Sequence, residues 1–269
     1  MDVQADHNRE PLSARLDDMQ AGGRYSFTES DLQQTPTKSK MATDKALGRL
    51  RDRGRIVTPR RGFHVIVPTE YRVVGSPPPS WFIDDLMRFL GQPYYVGLLS
   101  AATIHGASHQ QPMTFQVVTD RPTRQGVAGG ARIDFHMSGS VAETPAAWVQ
   151  TETGTMLVST PESTALDLVR FSASSGGWSN VASVLQELAE RIQPDALRAV
   201  ARLRKTPEIQ RLGYLLDRVG QPRLADPLLR VLGSRRYRPV ALAPDAPPIE
   251  KAAASPWRVI PNVEVEVDQ

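Results

Sequence analysis

Over the first seventy positions the apolar residues recur at helical spacing and then at strand spacing. Leu12, Leu16 and Met19 fall on one face of a helix predicted over 9–21, which Gly22 and Gly23 end. After a short extended step at Tyr25-Ser26-Phe27, Thr28-Glu29-Ser30-Asp31 reads as a second helix start. The Thr28 hydroxyl can accept from free first-turn amides, and the carboxylates favour the positive end of the helix dipole. Gln34-Thr35-Pro36-Thr37 breaks that helix early. A third helix is predicted over 38–53, with Thr43, Ala46, Leu47 and Leu50 on one face and Met41, Lys45, Gly48, Arg49 and Asp52 on the other. Gly54 suits the left-handed conformation that terminates a helix. Ile56-Val57-Thr58 and residues 63–67 then form the arms of a hairpin around Pro59-Arg60-Arg61-Gly62. Phe63, Val65 and Val67 share one face, and Pro68 is the stop. Three helices and a basic-tipped hairpin, in that order, predict a winged helix-turn-helix over residues 1–75.

The proline run at 76–80 is expected to be a stiff linker. Residues 81–269 read as one larger α+β domain. Helices are expected over 83–90, 94–105, 161–171, 180–192, 194–204 and 207–219. Strands are expected over 114–119, 132–137, 155–158 and 238–242, and near 257–260. Gly126-Val127-Ala128-Gly129-Gly130 reads as a flexible hairpin loop, because it does not sit between a strand and a helix as a phosphate-binding motif would. No internal repeat is visible.

Composition narrows the class. The chain has 269 residues, 40% of them hydrophobic and 23% charged, which suits a packed protein of one large or two ordinary domains. With no Cys, disulfides, thiolate metal sites and Cys nucleophiles are excluded. The first residues are polar, and the longest apolar run, 94–107, is broken by Ser100 and His105 and is too short to span a bilayer. A soluble protein of the bacterial cytoplasm, with no membrane partner, is the expectation. The net charge of +3 says little by itself, but nine basic residues against two acidic lie between positions 38 and 61.

That basic stretch carries the chemistry. In a helix-turn-helix the second helix of the motif enters the major groove with its N-terminal residues toward the bases. Here those are Lys38, Ser39, Lys40 and Met41, with Lys45 one turn on. Lys and Ser can donate to base edges, and Met can pack on a thymine methyl. Arg49 and Arg51 suit phosphate, and Arg60 and Arg61 at the wing tip suit phosphate or a narrow minor groove. The bland alternative is a solvated basic surface. His105 and His109 lack a third metal ligand, so a loop-anchoring His is the reading preferred. Ser159-Thr160-Pro161-Glu162 looks like helix capping, and Asp134 and Glu152 are single carboxylates. No catalytic constellation, cofactor motif or metal site is legible, so the chain is read as a non-enzyme. Arg198, Arg202 and Lys205 form a stripe that is either a solvated face or a second anion-binding surface.

Tyr94-Tyr95-Val96-Gly97-Leu98-Leu99-Ser100-Ala101-Ala102 with His105-Gly106-Ala107 resembles the AbiEi antitoxin family of bacterial toxin–antitoxin pairs. So do Phe115-Gln116-Val117-Val118-Thr119, Ser159-Thr160-Pro161-Glu162 with Thr164-Ala165-Leu166-Asp167-Leu168-Val169, and the late Trp257 and Asn262. The run Gly54-Arg55-Ile56-Val57 and Arg60-Arg61-Gly62-Phe63 is similar to that family's winged helix. The resemblance implies an N-terminal domain that binds inverted repeats of double-stranded DNA at its own promoter and represses the operon. It implies a C-terminal domain that counters a cognate nucleotidyltransferase-like toxin, and in this family antagonism does not require a stable complex. Two readings stay beside it: a ligand-gated winged-helix regulator, and a DNA reader fused to an undetected enzyme domain.

Overall fold

Leu16, Phe27, Leu32, Leu47, Leu50, Ile56 and Ile66 meet in one buried cluster, and they organise the first elements of the chain. The computed structural model describes residues 12–33, 40–107, 112–247, 249, 252–254 and 256–267. Helix α1 (Leu12–Ala21) buries Leu16, with Leu12 and Met19 packed beside it. Strand β1 (Ser26–Thr28) leads into α2 (Glu29–Gln33) through a reciprocal cap. The Asp31 amide donates to the Thr28 hydroxyl at 3.3 Å, and the Asp31 carboxylate accepts the Thr28 amide at 2.7 Å. Helix α3 (Lys40–Asp52) buries Leu47 and Leu50 and ends at Gly54, whose φ of 63° is the expected left-handed one. Strands β2 (Ile56–Arg60) and β3 (Phe63–Ile66) close the hairpin, and the antiparallel sheet has the order β1-β3-β2. This is the winged-helix order, with an irregularity in β2 between Val57 and Arg60.

Helix α4 (Ile83–Leu90) forms as expected and ends on left-handed Gly91. The helix predicted over 94–105 does not form as one element. It splits into strand β4 (Tyr94–Val96) and helix α5 (Leu98–Ile104) at Gly97. All three β4 residues are buried, and a strand buried on both faces has the same unbroken apolar run as a buried helix. Gly97 is required by space: a Cβ there would lie 2.9 Å from a Val118 methyl and 3.2 Å from the Tyr95 ring. Leu98 next to it takes a φ of 51°, held by complete burial with Tyr95, Val118 and Val141.

The chain continues with β5 (Phe115–Thr119), β6 (Gly126–Ala128), β7 (Ala131–Met137), β8 (Ala146–Gln150) and β9 (Thr155–Ser159), and strands β4 to β9 take the order β6-β7-β5-β4-β9-β8. Residues 126–130 are therefore not a flexible loop. Gly126–Ala128 is a strand antiparallel to β7, and Gly129-Gly130 is a turn whose Gly130 amide donates to the Val74 carbonyl at 3.0 Å. A Cβ on Gly129 would sit 2.0 Å from the Gly75 oxygen, which explains the glycine pair. Helices α6 (Pro161–Arg170), α7 (Gly177–Leu188), α8 (Pro194–Arg202) and α9 (Thr206–Arg218) match the expected ones within a few residues at each end. A further helix, α10 (Pro222–Gly233), stands where none was expected; Leu224, Ala225, Leu228, Val231 and Leu232 bury one face and outweigh the internal Pro227. Short parallel strands β10 (Val240–Ala241) and β11 (Val259–Ile260) end the chain.

Two compact units result. One comprises Met1–Tyr94, Thr119–Met137 and Trp148–Met156; the other comprises Tyr95–Val118, Ser138–Ala147 and Leu157–Gln269. The proline run at 76–80 lies inside the first unit. There Ser76 is buried, Pro79–Trp81 makes a 3-10 turn, and the Trp81 ring meets Tyr25 and Tyr71 edge-on at 4.8 and 5.2 Å. In the second unit α6 is the central helix, buried from Glu162 through Val169. Its Thr160 cap accepts the Ser163 amide at 3.3 Å, and Pro161 opens the first turn, as the sequence predicts.

Candidate nucleic-acid interface

Burial of Leu47 and Leu50 sets the rotation of α3, and with it the outward face. Lys40, Met41, Lys45, Arg49 and Arg51 are all exposed, Met41 at 68%. Asp44 and Asp52 are exposed among them. Arg49 and Arg51 lie in the last turn, where cations favour the negative end of the helix dipole. The structure thus brings five of the expected contact residues onto one helix. Lys38 and Ser39 lie outside the described residues, as does His109.

The wing separates Arg60 from Arg61. Arg61 is exposed at the turn, beside Gly62 with a φ of 85°. Arg60 is half-buried, and its guanidinium turns into the protein. It donates to the backbone carbonyls of Pro59 at 3.1 Å, Gln125 at 3.3 Å and Arg124, and it lies over the Phe135 ring at 5.6 Å. Burial, and then the nearby Arg124 charge, hold its pKa below the ordinary arginine value. Arg60 therefore sits where a structural cation would, and its fork is largely taken.

Behind the wing, His64 is buried, stacked on Phe27 at 5.1 Å, with Nδ1 3.0 Å from the Thr58 hydroxyl and Nε2 without a partner. Burial is the main cause that holds its pKa below the ordinary value; Arg51 adds to the shift and Glu29 opposes it. A neutral imidazole at this place is compatible with the cationic helix beside it.

Charge in the second unit is handled differently. Asp167, fully buried on α6, accepts from Tyr95 Oη at 2.8 Å and from Arg204 at 2.9 Å, and Arg204 Nη1 has no partner. Burial pushes the Asp167 carboxyl up against the pull of Arg204, burial pushes the Tyr95 hydroxyl well up, and burial pulls the Arg204 guanidinium down but is outweighed by the neighbouring Asp167, so that its pKa is raised. Glu208, pushed up by burial, lies 4.0 Å from Arg170, whose Nη1 donates to Ser138 at 2.9 Å. An Asp flanked by Leu166 and Leu168 was the signal in the sequence that this network left. His105 is the anchor that was expected: its Nε2 lies 2.7 Å from the Ser159 carbonyl oxygen. Trp257 packs against Gly213, where a Cβ would sit 2.0 Å from the indole, and Asn262 exchanges two hydrogen bonds with the Ala243 backbone at 2.9 and 2.8 Å. Among the described residues no three His, Asp or Glu side chains gather to hold a metal ion, and no helix is long and apolar enough to cross a membrane.

The fold and the exposed basic helix define an α+β protein that carries a winged helix. Residues 95–218 match the family model of the AbiEi antitoxin C-terminal domain. Those residues are thereby similar to the C-terminal domain of AbiEi antitoxins, which supports an antitoxin role in a toxin–antitoxin system. The crystal structure of the RV2827C protein from Mycobacterium tuberculosis has a similar fold, with a TM-score of 0.68 at 20% identity over 93% of this chain and 92% of that one. No curated protein sequence matches the chain.

Proposed function

We propose that this protein is the antitoxin of a bacterial toxin–antitoxin pair, that it binds double-stranded DNA at inverted repeats of its own promoter and represses the operon, and that its 95–218 domain counters a nucleotidyltransferase-like toxin in the cytoplasm. One observation carries the DNA half: α3 of a winged helix turns Lys40, Met41, Lys45 and Arg49 to solvent while Leu47 and Leu50 anchor its back. Helix insertion into the major groove would put Lys40 and Met41, with Lys38 and Ser39 before them, nearest the bases. The toxin half rests on the matched domain alone.

A titration of the full chain against duplex from its own upstream region, with a scrambled duplex as control and salt varied, tests the reading. Binding well above the control, with log K falling linearly in log salt, is expected. Equal weak binding to both duplexes would reduce α3 to a solvated charged face.

The cavity beside α2 in the first unit does not favour a ligand-gated regulator. Lined by Arg24, Asp31, Phe63, Asp85 and Phe89 among others, it holds about 220 Å³, which is below the ~300–1,000 Å³ of small-molecule sites. Its ionic groups are also engaged with each other: Arg24 pairs with Asp31 at 2.8 Å, and Asp85 accepts from Ser26 at 2.6 Å.

A further inference from the structure

The tether of Arg60 has a consequence for the charges around it. By donating to the Arg124 and Gln125 carbonyls, Arg60 fixes the loop between β5 and β6 against the wing. Strand β2 touches α3 and also touches β6, so this loop lies along the hairpin that follows α3. The Arg124 side chain is exposed and close enough for its charge to act on Arg60. Arg61, the next residue along the wing, is exposed as well. Two exposed arginines thus flank Arg60: Arg61 beside it in the chain, and Arg124 across the tether.

Among the described residues no carboxylate forms an ion pair with Arg61 or Arg124. Asp120 is paired with Arg121 at 3.4 Å, and Asp134 accepts from the Gln125 amide. Like charges held together by backbone hydrogen bonds repel, and an anion is what relieves that repulsion. A phosphate diester suits two exposed guanidinium forks well, because each offers paired donors to its oxygens.

We propose that Arg61 and Arg124 jointly bind a backbone phosphate of the duplex flanking the groove that α3 enters, with Arg60 as the positioning residue that holds the β5–β6 loop in place. The proposal rests on the DNA-binding reading above. It adds to the interface a residue 63 positions beyond the wing, and it removes Arg60 from the phosphate ligands.

The test compares Arg124→Gln, Arg61→Gln and Arg60→Gln in the full chain, alone and in pairs, against own-promoter and scrambled duplexes across a salt series. Arg124→Gln removes an exposed side chain, so the melting temperature should stay unchanged. It should weaken both duplexes by the same severalfold factor and flatten the slope of log K against log salt by up to about 0.9, the value for one phosphate. Arg60→Gln should flatten the slope about as much, and Arg60→Gln with Arg124→Gln should flatten it no further. Additive flattening in that pair would show Arg60 to be a phosphate ligand itself and would overturn the positioning role. An unchanged slope for Arg124→Gln, while Lys40→Ala still weakens own-promoter binding, would overturn the phosphate site and leave the DNA reading standing. Wild-type protein that prefers neither duplex would overturn both.

Discussion

Helix α3 in the first unit and the Arg204–Asp167 pair in the second hold arginine in opposite ways. On α3 of the first unit, Arg49 and Arg51 stand exposed beside Lys40, Lys45 and a Met41 that is 68% exposed. In the second unit the Arg204 side chain is 3% exposed and its partner Asp167 not at all. An exposed cation keeps its hydration and little of its energy is committed to the fold, so it is free to meet an anion. A buried pair has lost its water and is held by mutual attraction, so removing either partner leaves an uncompensated charge. The first arrangement suits recognition and the second suits fixing how α6 and the α8–α9 turn pack. Arg60 lies between the two: a wing cation turned inward onto carbonyls.

The largest expected effect is in the buried pair. Arg204→Met should destabilise the protein by about 3–5 kcal/mol, read from equilibrium urea unfolding, because Asp167 stays buried without its cation. Adding Asp167→Leu should recover much of that loss, since apolar replacements of similar volume are often neutral. A single-variant loss under about 1 kcal/mol would mean that the pair does not lock α6, and the contrast between the units would weaken.

The exposed side should show the converse. Lys40→Ala and Lys45→Ala should each lower affinity for own-promoter duplex by about 1–3 kcal/mol relative to scrambled duplex if they read bases, with unfolding stability unchanged. Loss of stability without loss of sequence preference would place these lysines in the fold rather than at the groove.

How much of this was legible in the sequence follows the range of the forces involved. The first unit was readable because its signals are local: the Thr28 cap, the Gly54 stop and the Leu47 and Leu50 stripe act within a few residues. The α6 start at Thr160-Pro161 was readable for the same reason. The β4–α5 break was not, because burial on all sides erases the alternation that separates strand from helix. Strand β8 was missed because its residues are mostly exposed or half-buried and show no apolar alternation. Helix α10 was not expected; it carries an internal Pro227, while Pro222 sits in the first turn, where proline is tolerated. Among the expected contact residues, exposure on α3 followed from helical spacing. The inward turn of Arg60 did not, since two of its three acceptors lie 64 and 65 residues away in the chain.

The smallest effect concerns His64, a buried titratable group in the unit whose α3 cations are exposed. Folding holds its pKa below the ordinary value, chiefly through burial, with Arg51 adding and Glu29 opposing; the Thr58 hydroxyl on Nδ1 and the Phe27 ring complete its surroundings. Above the unfolded pKa of about 6.5 both states carry a neutral ring and the full stability is present. As pH falls through that value the unfolded chain takes up a proton that the folded ring refuses, so stability is lost until folded His64 itself titrates. One proton bounds the slope at about 1.4 kcal/mol per pH unit. Urea unfolding of wild type and His64→Gln between pH 8 and pH 5 isolates this contribution, since the other titrating groups are common to both. The variant should lose less stability on acidification than wild type. Equal losses would mean that the ring reaches solvent and protonates freely in the folded state, and the wing core would then tolerate the kind of charge that the comparison assigns to the surface of α3.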